Sequence, residues 1–124
     1  MEAFLSGFIS LGDPKLLLIL LAATLGGVVI GALPGLNATN GAALLLPFTL
    51  SMEAIPAIAS LVAIYCSATF AGAITAILIN TPGTPASATT CLDGYPLAQR
   101  GEAGRALGLA VVSSTIGGVL SVIC

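Results

Sequence analysis

From Ala54 to Thr90 the chain reads AIPAIASLVAIYCSATFAGAITAILINTPGTPASATT, without one charged residue. Its first part, through Ile79, is apolar and longer than the roughly 20 residues that a helix needs to cross a bilayer. Its last part, from Asn80 on, holds two prolines, one glycine and four threonines. Neither Pro82 nor Pro85 has an N–H to donate, and each disfavours helix in the residue before it, so the helix should end near Asn80. Turns in water usually carry charge, and this one carries none. A long apolar span running into a charge-free polar break predicts an all-α integral membrane fold. Its transmembrane helices are interrupted by Pro-Gly breaks and re-entrant segments.

The rest of the chain supports that class. Charge is also absent from Leu16 to Met52 and from Ala106 to Cys124. Of 124 residues, 57% are hydrophobic and 6% charged, and the mean hydropathy is +1.13. So little charge cannot cover a water-facing surface. A net charge of −2 with no basic run excludes a nucleic-acid partner and leaves the lipid bilayer as the surroundings. There is no histidine, which removes His-based acid–base catalysis and most transition-metal sites. Cys66, Cys91 and Cys124 are far apart and odd in number, so they read as buried small apolar residues. No catalytic residue, metal site or bound cofactor is expected.

Residues 1–12 form an amphipathic start, expected to be a short helix lying at the membrane interface. Asp13 as N-cap and Pro14 at the first helical position open a helix over about 14–33. Pro34 and Gly35 break it, and a polar stretch over 34–41 contains Asn37, Thr39 and Asn40. The flanking apolar sequence is short, so 34–52 is expected to be re-entrant. Further helices are expected over 54–79 and 106–124, with a second polar break at 80–90. Residues 91–105 are the polar connection, in which Asp93-Gly94-Tyr95-Pro96 reads as a turn and Glu102 pairs with Arg105. Ala23, Gly27, Gly31 and Gly35 recur every fourth residue, as do Ala68, Gly72 and Ala76, a device for close helix packing. Placing Lys15, Arg100 and Arg105 all in the cytoplasm requires an even number of crossings between them. The apolar run at Ser121–Cys124 has no cap or polar exit, so the chain is expected to be part of something longer.

A Pro-Gly pair can simply turn the chain between helices at the water interface. Unwound backbone at membrane depth, by contrast, is tolerated only where it is buried in protein or lines a watery cavity. There, half-helix N-termini favour anions and free carbonyls favour cations such as sodium. Two breaks rich in Asn and Thr admit both readings. On the second reading Gly83, lacking a Cβ, brings its backbone close to a carboxylate or ion, and Thr84 and Ser87 supply hydroxyls.

The run Gly31-Ala32-Leu33-Pro34-Gly35-Leu36, continuing to Ala43-Leu44-Leu45-Leu46-Pro47-Phe48-Thr49, resembles a signature of the tripartite tricarboxylate transporter family, large membrane subunit. Ile79-Asn80-Thr81-Pro82-Gly83-Thr84-Pro85-Ala86-Ser87 and Leu92-Asp93-Gly94-Tyr95-Pro96-Leu97-Ala98 are similar to a second. The sequence departs from the pattern at Asn37-Ala38-Thr39-Asn40, where many members have a Gly-Pro-containing turn. The resemblance implies that residues 1–124 are the N-terminal part of a longer, inverted-repeat, multi-pass carrier of the bacterial inner membrane. It also implies partners, a small membrane subunit and a periplasmic solute-binding protein, and uptake of tri- or dicarboxylates driven by a Na+ or H+ gradient. Carried over by position, Asn37, Thr39, Asn40, Asn80, Thr81, Gly83, Thr84 and Ser87 belong to the substrate and ion pathway, with Pro34, Gly35, Pro82 and Pro85 as the structural breaks. The competing expectation is a small membrane scaffold whose polar breaks are only turns. An intramembrane enzyme is disfavoured, because no nucleophile has a base beside it.

Overall fold

The computed structural model describes residues 1–124 as seven helical elements and no strand. They are α1 (Glu2–Ser10), α2 (Pro14–Ala32), α3 (Ala38–Thr49), α4 (Ala54–Ile79), a 3-10 turn (Pro85–Ser87), α5 (Ala88–Gln99) and α6 (Ala103–Ile123). Of these, α2, α4 and α6 are long and apolar enough to cross a membrane. The chain is an all-α membrane protein.

Small residues build the central helix pair. Gly27 faces Ile64 and Ser67, and Gly31 faces the backbone of Ala68, so α2 and α4 run parallel in close contact. Ala23, Gly27 and Gly31 on one helix and Ala68, Gly72 and Ala76 on the other are all buried. The hydroxyls of Ser60 and Ser67, also in this seam, turn back onto carbonyls of their own helix. Gly35 lies beyond the helix end, in a left-handed conformation (φ 94°) open to glycine.

Several boundaries differ from the sequence expectation. The break at 34–41 is shorter, because Asn37 caps α3, accepting a hydrogen bond from the Asn40 N–H at 3.0 Å. Thr39, Asn40 and Gly41 are therefore helical. The break at 80–90 likewise ends early, with a 3-10 turn from Pro85 and α5 from Ala88. Residues 91–105 are not an open connection. Asp93-Gly94-Tyr95-Pro96 lies inside α5, where Gly94 packs against the Ile77 side chain; an added Cβ would sit 2.7 Å from Ile77 Cγ1. The third apolar helix starts at Ala103, after Gly101 (φ 81°), with the expected Glu102–Arg105 pair at 3.4 Å on its exposed first turn. Cys66 and Cys124 are exposed and Cys91 is half-buried, contrary to expectation: Ser67 and Ala68 take the α2–α4 seam beside Cys66, and Cys124 lies beyond the end of α6.

The path of the chain is also different. Lys15 and Glu53 line the same small pocket, so α2 and α4 start at one level. Gly41, at the start of α3, packs on Ile30 and Ile64, while Met52, just beyond its end, lies in the groove with Ile19. The segment 34–52 therefore runs back along α2 to the level of Lys15 and does not return to the end at which it left. The segment that does return is 80–99. It descends beside Gly72, turns, and rises along Ala73 and Ile77 to the C-terminal end of α4. Lys15 and Arg100 consequently stand at opposite ends of the bundle.

Candidate functional site

The chain reverses at Asn80, which adopts the left-handed conformation (φ 54°) and lets the next residues fold back along α4. Thr81 donates its hydroxyl to the Ile79 carbonyl. Gly83 then enters a gap between two helices. A Cβ there would lie 2.8 Å from the Gly31 carbonyl oxygen and 2.9 Å from Gly72 Cα, so the close approach its backbone makes is to α2 and α4. In this way the second break meets the helix that ends at the first.

Thr84 and Ser87 lock the turn. The Ser87 N–H donates to Thr84 Oγ1 at 3.3 Å and the Thr84 N–H to Ser87 Oγ at 3.1 Å, a reciprocal capping box. The Ser87 hydroxyl donates in turn to the Thr84 carbonyl at 2.8 Å. Both residues are buried, and no buried side-chain polar atom is left without a partner. The Thr84 and Ser87 hydroxyls are therefore both used within the turn.

Beside it lies a cavity of about 360 Å³ between α4, the turn and α6, walled by Thr69, Phe70, Thr84, Ser87, Thr90 and Ser114 among others, none of them charged. The Thr69 hydroxyl is engaged with the Tyr65 carbonyl. Thr90 and Ser114 make no side-chain hydrogen bond, which leaves two hydroxyls free to meet a guest. A second cavity of about 510 Å³ continues along α5 and α6 past Thr89, Asp93, Ser113 and Ser114. The first space offers neutral hydroxyls and the second adds the Asp93 carboxylate, and both lie beside the first turn of the 12-residue α5, the positive end of its dipole.

The sequence-derived residues thus divide into two groups. Thr84 and Ser87 border the cavity, and Gly83 sits immediately behind them. Asn37, Thr39 and Asn40 do not reach it: Asn37 caps α3, while Thr39 and Asn40 are exposed on that helix, which packs on α2 and α4. Asn80 and Pro82 are exposed at the rim of the break, Thr81 is half-buried, and Pro85 opens the 3-10 turn. Pro34 and Gly35 lie in the turn that follows α2. Thr90 and Ser114 also line the cavity and are not among the residues read from the sequence. Thr90 is visible in sequence as the residue three beyond Ser87, and Ser114 as part of the Ser113-Ser114-Thr115 hydroxyl cluster in an otherwise apolar helix.

A model of the tripartite tricarboxylate transporter TctA family matches residues 17–124. A protein of Agrobacterium vitis, described as an uncharacterized 52.8 kDa protein in the TAR-I ttuC' 3' region, is 41% identical over 95 residues. That alignment covers 77% of this chain and 19% of the relative, so the chain corresponds to a small part of the relative's length. No solved structure matches the chain.

Proposed function

The chain belongs to the tripartite tricarboxylate transporter TctA family, and on that premise we propose that it is part of the large membrane subunit of a binding-protein-dependent secondary carrier for tri- or dicarboxylates. The carrier is a multi-pass protein of the bacterial inner membrane and acts by symport. It works with a small membrane subunit and a periplasmic solute-binding protein, and a Na+ or H+ gradient drives uptake. Within it, the returning segment 80–99 contributes to the substrate and ion pathway. The observation that carries this reading is the uncharged, hydroxyl-bearing cavity beside the Thr84–Ser87 turn. Its volume of about 360 Å³ lies in the range of small-molecule sites. Fixed charge is absent from its walls, which suits a site that must release an anion as well as bind it. A permanent Arg or Asp at the membrane centre would cost roughly 2.5–3.5 kcal/mol on insertion scales.

One observation favours the rival reading, a membrane scaffold. The Thr84 and Ser87 hydroxyls are fully used within the turn. The deciding residues are therefore Thr90 and Ser114, which line the same cavity and make no side-chain hydrogen bond. The experiment uses the whole-length subunit in liposomes, with its small subunit and a carboxylate-loaded binding protein. Thr90→Val and Ser114→Ala should each raise the half-saturation for uptake by several-fold up to about tenfold, the loss of one hydrogen bond to a charged ligand. Uptake unchanged by both substitutions would end the assignment of this cavity to the substrate and favour the scaffold.

A further inference from the structure

Helix α1 stands apart from the bundle. None of its residues is buried, and Phe4, Phe8 and Ile9 are 77%, 68% and 77% exposed. Its composition is nonetheless sharply divided. At about 100° per residue, Phe4, Leu5, Phe8, Ile9 and Leu11 fall within one arc of about 160°, while Glu2, Ser6, Ser10, Ala3 and Gly7 fill the other side. Phe4 and Phe8 lie one turn apart with ring centroids 6.4 Å from each other, forming the centre of the apolar face. The Ser6 and Ser10 hydroxyls are engaged with carbonyls of their own helix, at Ala3 and Ser6.

The position of α1 says what covers the apolar face. Pro14 begins the first helix long and apolar enough to cross a membrane, with Asp13 as its cap. That helix has 19 residues, about the length that spans the hydrocarbon, so its first turn lies at the membrane boundary. Only Leu11, Gly12 and Asp13 separate it from α1. A short helix tethered that closely lies within a few ångströms of the boundary. Its apolar stripe is too narrow and its length too short for it to cross.

We infer that α1 is an in-plane lipid anchor, lying on the bilayer surface with Phe4 and Phe8 among the acyl chains and Ser6 and Ser10 toward water. It carries Glu2 and no Lys or Arg, so its attachment is apolar and needs no anionic lipid. This inference is independent of what the cavity binds.

Residues 1–124 contain no tryptophan, so in the whole-length protein, with any tryptophan beyond them replaced by phenylalanine, a single introduced one reports its own surroundings. The whole-length protein carrying Phe8→Trp, and separately Ser6→Trp, is placed in phosphatidylcholine vesicles with ordinary or brominated acyl chains. The Phe8→Trp emission should be blue-shifted and quenched at least twofold by the brominated chains. The Ser6→Trp emission should be red-shifted and nearly unquenched, and the contrast should persist when an anionic lipid is added. A Phe8→Trp emission typical of water would overturn the inference. So would one that is blue-shifted but insensitive to bromine, because the face would then be covered by protein, including a second copy of this chain.

Discussion

At Gly31 three segments of backbone come together. A Cβ on this residue would fall 2.6 Å from Ala68 Cα, and the Gly31 carbonyl oxygen is itself the nearest neighbour of any Cβ placed on Gly83. The obstructing atoms are main chain, which cannot swing aside as a side chain can. Gly31→Ala should therefore force α2 and α4 apart, at an overpacking cost of about 1–3 kcal/mol. Five residues earlier, Gly26 has nothing within 4 Å of its own Cβ position. Gly26→Ala should be neutral or slightly stabilising, since alanine loses less backbone freedom in a helix. Thermal unfolding in detergent separates the two: the midpoint should fall by several degrees for Gly31→Ala and not fall for Gly26→Ala. Equal midpoints for both variants would contradict backbone contact at Gly31.

At the scale of elements, the short helices owe their starts to single side chains. Asn37 caps α3, and the Thr84–Ser87 box leads into α5 through one 3-10 turn. Asn37→Ala and Thr84→Val should each cost about 1 kcal/mol of stability. Amide exchange should quicken over residues 38–41 in the first variant and 85–90 in the second, whereas Thr84→Ser should keep the protection. Equal protection in Thr84→Val and Thr84→Ser would show that the box does not hold the turn. These elements also mark how far the sequence alone could be read. The long helices were legible because a charge-free apolar run has few other fates, and the Asp13-Pro14 start was legible because a cap acts on its own neighbours. The helix through Asp93-Gly94-Tyr95-Pro96 was not. Gly94 is suited to its place by Ile77 on another helix, a tertiary cause that leaves no local signal. The same distinction separates the site residues. Thr84 and Ser87 form a local motif, whereas Ser114 joins the cavity only because α6 folds back beside α4.

For the molecule as a whole, the parallel arrangement of α2 and α4 sets its sidedness. Two helices can run parallel in sequence order only if the chain between them comes back, and α3 with its flanking turns is that return. Three passes of the bundle therefore separate Lys15 from Arg100, an odd number, and the two residues face opposite sides. Lys15 shares its end with the acidic Asp13 and Glu53, while Arg100 and Arg105 lie at the other. Because basic residues favour the cytoplasmic side, Gln99–Arg105 is expected in the cytoplasm and α1 outside. In the whole-length protein, with Cys66, Cys91 and Cys124 replaced, Ser6→Cys and Ser51→Cys should react with a membrane-impermeant thiol reagent added to the outside. Gln99→Cys should react only when the cytoplasmic face is opened. Ser6→Cys and Gln99→Cys labelling from the same side would mean an even number of passes, and would overturn this path of the chain. The Ser51→Cys result fixes which helix is at fault. If position 51 labels from the outside while position 6 does not, the return through α3 is wrong. If positions 6 and 51 label together, the error lies between α4 and Gln99.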